Sequence, residues 1–228
     1  MARGRSGTRE GPQIIRFSDA RASISMRALP PTLPYAEARK LIRKADTVLC
    51  RLRVRWWNIH DWATCLIALV AWTRGQPVLS FWHRYVHAAK VVESEGRYML
   101  AEVTAGGGRL MRLSDVAQQL PGKLVVFRPK PKRYDRDAAA QAMVDSTGRP
   151  YGWIACLLMA GMHFVFLGSI AKRLALRWSN WLLPDCSMEV AIADIAGGIN
   201  PCPGKAPFEI EPHHLAESLY YEPICGLA

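Results

Sequence analysis

A histidine and a glutamate lie on two strand-like segments joined by a short turn, an arrangement that could move protons. His87 belongs to the segment Tyr85 to Glu93 (YVHAAKVVE) and Glu102 to the segment Arg97 to Thr104 (RYMLAEVT), with a Ser-Glu-Gly turn between them. Facing residues of such a hairpin have numbers that add to a constant, which a turn centred on position 95 sets at about 190. Since 87 and 102 add to 189, the two residues should lie opposite each other or one pair away, and we predict a cross-strand hydrogen bond that orients the imidazole. A solvated cross-strand pair would give the same pattern.

Cys186 is the cysteine whose surroundings favour reactivity. The segment LLPDCSMEVAIADI has the pattern of a helix start, with Pro184 and Asp185 before the cysteine and Ser187 and Glu189 in the first turn. A thiol at a helix N-terminus meets the positive end of the helix dipole, which favours the nucleophilic thiolate. A buried structural cysteine also fits, since free thiols commonly pack as small hydrophobic groups. The other five cysteines lack this setting as clearly: Cys50, Cys65, Cys156, Cys202 and Cys225.

Several segments resemble, in order, the YiiX/YebB-like hydrolases of the NlpC-type, circularly permuted papain fold. They are DTVL, VHAAKVVE, YMLAEV, GRPYGW, DCSMEV and EIEPHHLAES, and they span roughly residues 45–225. The resemblance implies an α+β fold in which a small antiparallel sheet packs on helices. The histidine precedes the cysteine along the chain, which is the order that the permutation gives.

The resemblance also implies the roles of individual residues. Cys186 would be the nucleophile, His87 the general base and acid, and Glu102 the group that orients the histidine. The same resemblance gives Tyr151 and Ser187 as substrate-binding residues. His83 is a rival to His87, because FWHRYVH places two histidines four residues apart, but the AAKVV run continues the strand after residue 87.

The function implied is that of a cysteine peptidase or amidase. The thiolate would attack a carbonyl, backbone N–H groups at the helix start would hold the oxyanion, and water would release the acyl group from the thioester. Peptidoglycan stem peptides are the leading substrate, within a phage particle or a similar assembly. Two alternatives stay open: an acyltransferase or deacylase acting on lipids or acyl-proteins, and a non-catalytic structural component of a large assembly.

The elements that must position these residues follow from hydrophobic periodicity and turn residues. Further strands are expected around the hairpin, and helices are expected to pack on the sheet. We predict helices at Ala36–Lys44, Leu113–Leu120, Asp135–Asp145 and from Cys186 to about Ile195, and further strands at Thr47–Val54, Arg109–Leu113 and Lys123–Phe127.

The chain divides into a basic arm, residues 1–34, and one hydrolase domain, residues 35–228, with insertions near 55–80 and 153–184. Both insertions are apolar and rich in tryptophan, so we expect them to cover the cleft, bind neighbours in an assembly or contact a membrane surface. The apolar run from Trp153 to Gly168 is shorter than the roughly 20 residues that a membrane-spanning helix needs.

Charge and cysteine spacing limit the partners. Lys and Arg outnumber Asp and Glu by 30 to 19, which gives a net charge of +11 and favours anionic polymers or lipids. No aromatic-interleaved motif predicts specific nucleic-acid recognition. We expect no cofactor and no metal, since no CxxC pair occurs and the adjacent His213 and His214 lack ligand spacing. The polar first residues lack the apolar core of a signal peptide, which predicts synthesis in the cytoplasm, with a virion or the cell envelope as later destinations.

Overall fold

The structure is a computed structural model, and it describes residues 30–51, 85–104, 106–152, 154, 168–178 and 185–228. Most of the predicted arm, the insertion near 55–80, most of the insertion near 153–184 and the alternative base His83 lie outside the described residues. The predicted division into arm and domain therefore stays a prediction.

A mixed sheet forms the centre of the described chain, in the order β1-β7-β6-β2-β3-β4-β5. Neighbouring strands are antiparallel except β1 and β7, which are parallel. The predicted α+β class is confirmed, although the sheet is larger than expected and not wholly antiparallel. The strands are β1 (Thr32–Leu33), β2 (Thr47–Arg51), β3 (Tyr85–Ser94), β4 (Arg97–Thr104), β5 (Gly107–Arg112), β6 (Leu124–Pro129) and β7 (Tyr221–Leu227).

Short helices connect and cover the strands. None of the helices in the part of the chain that the structure describes is both long and apolar enough to cross a bilayer. They are α1 (Tyr35–Ala38), α2 (Leu113–Gln119), α3 (Arg136–Asp145), α4 (Gly168–Trp178), α5 (Cys186–Ala196) and α6 (Pro212–Glu217), with a 3-10 turn at Pro207–Glu209.

Helix α1 is shorter than the predicted helix over Ala36–Lys44. The carboxylate of Asp46 accepts a hydrogen bond of 2.9 Å from the backbone N–H of Arg43, and Ala45 has a positive φ of 61°. Both features belong to a turn, because a local side-chain acceptor competes with the helical hydrogen-bond pattern. The chain therefore leaves the helix early and enters β2.

Apolar residues on the two faces of the sheet form two cores. Adjacent β2 residues point to opposite faces, so Leu49 joins the core under α3 and α5 while Val48 joins the core that includes α2. In the first core, Met143 of α3 and Val190 of α5 are fully buried with Leu49. Helix α5 is thereby held against the sheet that carries the hairpin.

The turn of the β3–β4 hairpin differs by one residue from the prediction. Ser94 pairs with Arg97, and only Glu95 and Gly96 lie between them, with φ of 52° and 70°. Two successive positive φ values are typical of the two-residue turns that suit twisted hairpins. Ala89 rather than residue 88 consequently lies opposite position 102.

Strand β5 begins in close contact with the turn that follows α3. The N–H of Gly108 donates to the carbonyl of Arg149 at 2.8 Å, and the N–H of Gly148 donates to the carbonyl of Gly108 at 2.8 Å. A Cβ at position 108 would lie 2.1 Å from the Ser146 carbonyl oxygen. Only glycine permits this approach of two backbones.

Candidate active site

His87 of β3 and Glu102 of β4 form a hydrogen bond between Nε2 and Oε2, 2.8 Å long. Since Glu102 lies opposite Ala89, the two residues are diagonal neighbours, not directly opposed as one form of the prediction had it. Diagonal neighbours on antiparallel strands still lie within reach of long side chains. The structure therefore brings together the two residues that the hairpin pattern singled out.

Arg109 is a third member of this group that the sequence analysis missed. It lies directly opposite Glu102 on β5, and its Nε and Nη2 donate to Oε1 at 2.8 and 2.7 Å. The signal that could have found it is the glycine run at 106–108, which reverses the chain so that a cation faces the glutamate.

The Glu102 carboxyl is 6% exposed and yet stays ionised. Burial raises its pKa, but hydrogen bonds and charge from His87 and Arg109 outweigh that effect and lower the pKa from 4.5 to about 2. Glu102 is therefore a carboxylate at any physiological pH.

Cys186 occupies the first position of α5, where the sequence predicts the helix start. The side chain of Asp185 caps the helix by accepting the N–H of Met188 at 2.9 Å and the hydroxyl of Ser187 at 3.1 Å. Cys186 is 8% exposed, and its side chain lies close enough to His87 to influence the pKa of the imidazole. The cap therefore fixes the position of the Cys186 thiol relative to the His87 imidazole.

The imidazole lies between a sulfur and a carboxylate. Burial lowers the pKa of His87, but its interactions with Cys186 and with the Glu102 carboxylate outweigh that effect and raise the pKa well above 6.5. The His87 side chain is 25% exposed, so a small molecule can still approach it. The arrangement therefore favours the protonated imidazole.

Glu189, one turn after Cys186, is a buried acid with an incomplete set of partners. Its residue is 3% exposed, burial raises its pKa despite the nearby Arg149, and its Oε2 has no hydrogen-bond partner among the described residues. It lies beside Ser146, whose hydroxyl donates to the carbonyl of Met143 at 2.7 Å.

The two predicted substrate-binding residues differ in position. Ser187 is fully buried and bonded to Asp185, so it lies inside the helix start. Tyr151 is half-buried in the segment that follows α3. Their part in substrate binding stays a prediction.

The described residues contain no group of three or more His, Cys, Asp and Glu side chains arranged to hold a metal ion. At the adjacent histidines, Nδ1 of His213 lies 3.2 Å from a Glu211 carboxylate oxygen, and the rings of His213 and His214 pack with their centroids 4.0 Å apart.

Comparison with known proteins gives a likeness of fold. No family model matches the chain, and no curated protein matches it. Among solved structures the chain is similar to the metalloprotein yiiX from Escherichia coli O157:H7, of the family DUF1105, with a TM-score of 0.50 and 12% identity over 80% of this chain and 97% of that chain. The chain therefore has a YiiX-like fold.

Proposed function

We propose that the protein is a cysteine hydrolase that cleaves amide bonds, with Cys186 as nucleophile, His87 as base and acid, and Glu102 as the orienting carboxylate. The observation that carries the proposal is the position of the His87 imidazole, which interacts with Cys186 on one side and forms a 2.8 Å hydrogen bond with Glu102 on the other. We also propose that the α+β fold is a circularly permuted papain-like fold, in which the strand that holds the histidine precedes the helix that holds the cysteine.

The reaction follows from the positions of these atoms. Since Nε2 of His87 is bonded to Glu102, Nδ1 is the ring nitrogen that takes the thiol proton and later gives it to the leaving amine. The thiolate forms a thioester with the acyl group, and a water activated by the same nitrogen hydrolyses it.

A backbone donor at the helix start can hold the oxyanion. The N–H groups of Ser187 and Met188 already donate to the Asp185 side chain, and the N–H of Glu189 donates to the Asp185 carbonyl. The N–H of Cys186 itself is therefore the donor that we assign to the developing negative charge.

The name of yiiX describes that protein as a metalloprotein, but the donor set of this chain does not suit a metal ion at the proposed site. One carboxylate oxygen of Glu102 is bonded to His87 and the other to Arg109. A guanidinium at that distance would repel a cation. No step of the proposed reaction passes through a metal.

Peptide amides are the proposed substrates, with peptidoglycan stem peptides first among them. The net charge of +11 supports capture of an anionic cell-wall polymer. Within this proposal the protein acts in a phage particle or a similar assembly, held by its basic arm and its tryptophan-rich insertions.

Helix α4 supports a second candidate, the transfer or hydrolysis of acyl groups of lipids or acyl-proteins. Ile170 is 55% exposed on this helix, and Lys172, Arg173 and Arg177 are exposed with it. Exposed apolar and basic side chains on one helix are typical of binding at an anionic membrane surface.

Thiol labelling tests the hypothesis that the protein is a cysteine hydrolase against a purely structural role. Iodoacetamide at mildly acidic pH should alkylate Cys186 first, and His87→Ala should slow that alkylation at least tenfold, because the imidazolium that stabilises the thiolate is lost. Cys202→Ser is the matched control, because burial raises the pKa of Cys202 to about 11. Equal labelling of several cysteines would refute the hydrolase hypothesis.

The substrate class needs a second experiment. Release of soluble fragments from purified peptidoglycan, compared with hydrolysis of acyl esters, separates the two candidate reactions. Cys186→Ala should abolish whichever activity is observed, and an activity that survives this change would belong to another site.

A further inference from the structure

We propose that Arg109 is a positioning residue of the candidate active site, acting on His87 through Glu102. The inference rests on the proposed function, because it assigns Arg109 a part in the same proton transfer. Arg109 donates two N–H groups to Oε1 of Glu102, while Oε2 accepts from His87. The guanidinium thereby fixes which oxygen of the carboxylate faces the imidazole.

The burial of Glu102 makes this contact different from an ordinary surface ion pair. The Arg109 side chain is 54% exposed, but its partner is only 6% exposed. A pair between two exposed side chains contributes little, whereas a buried carboxylate oxygen that loses its donors keeps the full cost of desolvation. Among the described residues, only Arg109 donates hydrogen bonds to Oε1 of Glu102.

Loss of the guanidinium leaves the carboxyl two ways to relieve that cost. It can rotate, so that its hydrogen bond to His87 weakens, or it can take up a proton as the pH falls. Both reduce the negative charge that faces the imidazolium, and with it the stability of the imidazolium beside the Cys186 thiolate. The charged groups that face Glu102 are His87 from β3 and Arg109 from β5, and Cys186 from α5 faces His87.

The pH profile of Cys186 alkylation by iodoacetamide tests the role, measured from about pH 4 to about pH 9. In Arg109→Gln the acid limb should move upward by about one pH unit, which is about a tenfold slower reaction on that limb and little change at alkaline pH. Arg109→Lys should recover part of the shift, since it restores a cation with a single point of contact. Arg112→Gln, an exposed arginine on the same strand, is the matched control and should follow the wild type.

The outcomes separate the two proposals. If wild-type alkylation depends on His87 but Arg109→Gln has an unchanged profile, the role of Arg109 is overturned and the proposed function stands. If wild-type alkylation does not depend on His87, both fail. Should Arg109→Gln unfold, the profile of the folded Arg109→Lys variant decides, because a merely structural role would lower stability without moving its acid limb.

Discussion

Lys90 of β3 and Asp194 of α5 form an ion pair 2.8 Å long, and neither side chain has any exposed surface. The pair joins the strand that carries His87 to the helix that carries Cys186. Each partner lies within the core, where an unpaired charge is strongly unfavourable. The ion pair therefore fixes the position of the helix relative to the strand, and with it the approach of thiol to imidazole.

Hydroxyl groups complete the surroundings of this pair. Tyr134 donates to Oδ1 of Asp194 at 2.6 Å, and the hydroxyl of Tyr221 donates to Oδ2. Lys90 also donates to the Thr47 hydroxyl at 2.9 Å. Burial and the Asp194 charge raise the pKa of both tyrosines, so they remain donors throughout the physiological range.

Lys90→Met should destabilise the protein by about 3–5 kcal/mol, because it leaves the Asp194 carboxylate buried without its cation. The double variant Lys90→Met, Asp194→Leu should recover much of this loss. Lys44→Ala is the control, since it removes an ion pair with Asp137 whose side chains are 36% and 85% exposed, and should cost less than about 1 kcal/mol. Urea unfolding measures the free energy of unfolding of all three variants. A Lys90→Met variant as stable as the wild type would contradict a stabilising role for the Lys90–Asp194 ion pair.

Asp185→Ala should cost about 1 kcal/mol of stability, because it removes the cap of α5, and should also slow alkylation of Cys186. Asp135 provides the matched control: it caps α3 by accepting two backbone N–H groups, at 3.0 and 2.9 Å. The Asp135→Ala variant should lose a similar amount of stability, but its Cys186 should be alkylated at the wild-type rate. Equal rates in the two variants would mean that the cap does not place the thiol.

Glu189→Gln should leave stability at neutral pH unchanged or increased, because glutamine resembles the protonated acid, which is the form that burial favours. A raised pKa in the folded state means that the unfolded chain releases its proton first as the pH rises. Stability from this group is therefore complete below about pH 4.5 and is lost as the pH rises through the raised pKa. Chemical unfolding as a function of pH should give a flatter profile for the variant, and an equally steep one would contradict the protonated state.

Glu102→Gln should change stability in the opposite pH direction. With a folded-state pKa of about 2 against an ordinary 4.5, the carboxylate contributes stability above about pH 4.5 that is lost as the pH falls toward 2. The contribution is at most about 3.5 kcal/mol, since each pKa unit corresponds to about 1.4 kcal/mol. Urea unfolding between these limits should show a weaker pH dependence in the variant, and Glu93→Gln, an exposed acid of the same hairpin, should keep the wild-type slope.

The hairpin and the capped helix could be predicted from the sequence because both depend on local signals. Period-two alternation and a Glu-Gly turn mark β3 and β4, and the sequence Pro-Asp-Cys-Ser marks the start of α5. The predicted β3–β4 register was wrong by one residue, because the turn contains two residues and not the three that were predicted. The position of the glycine does not by itself distinguish these two turn lengths. His87 and Glu102 were still identified, since side chains of this length tolerate a diagonal offset.

Contacts between distant segments could not be predicted in this way. Lys90 and Asp194 are 104 positions apart, and a lysine within an apolar strand gives no sign of which acid will meet it. Arg109 was missed because the glycine run marks where the chain reverses but does not fix the β4–β5 register that pairs Arg109 with Glu102. The parallel pairing of β1 with β7 likewise joins opposite parts of the chain.

The backbone contact at Gly108 connects the surroundings of two buried carboxyl groups, those of Glu102 and Glu189. On one side of this contact, the next residue along β5 is Arg109, which donates to Glu102. On the other side, Ser146 lies beside Glu189. A methyl group at 108 would force the two backbones apart and disturb both carboxyls together. The missing side chain at Gly108 thus sets the spacing of Glu102 and Glu189, and alteration there would act on both carboxyl groups without changing either residue.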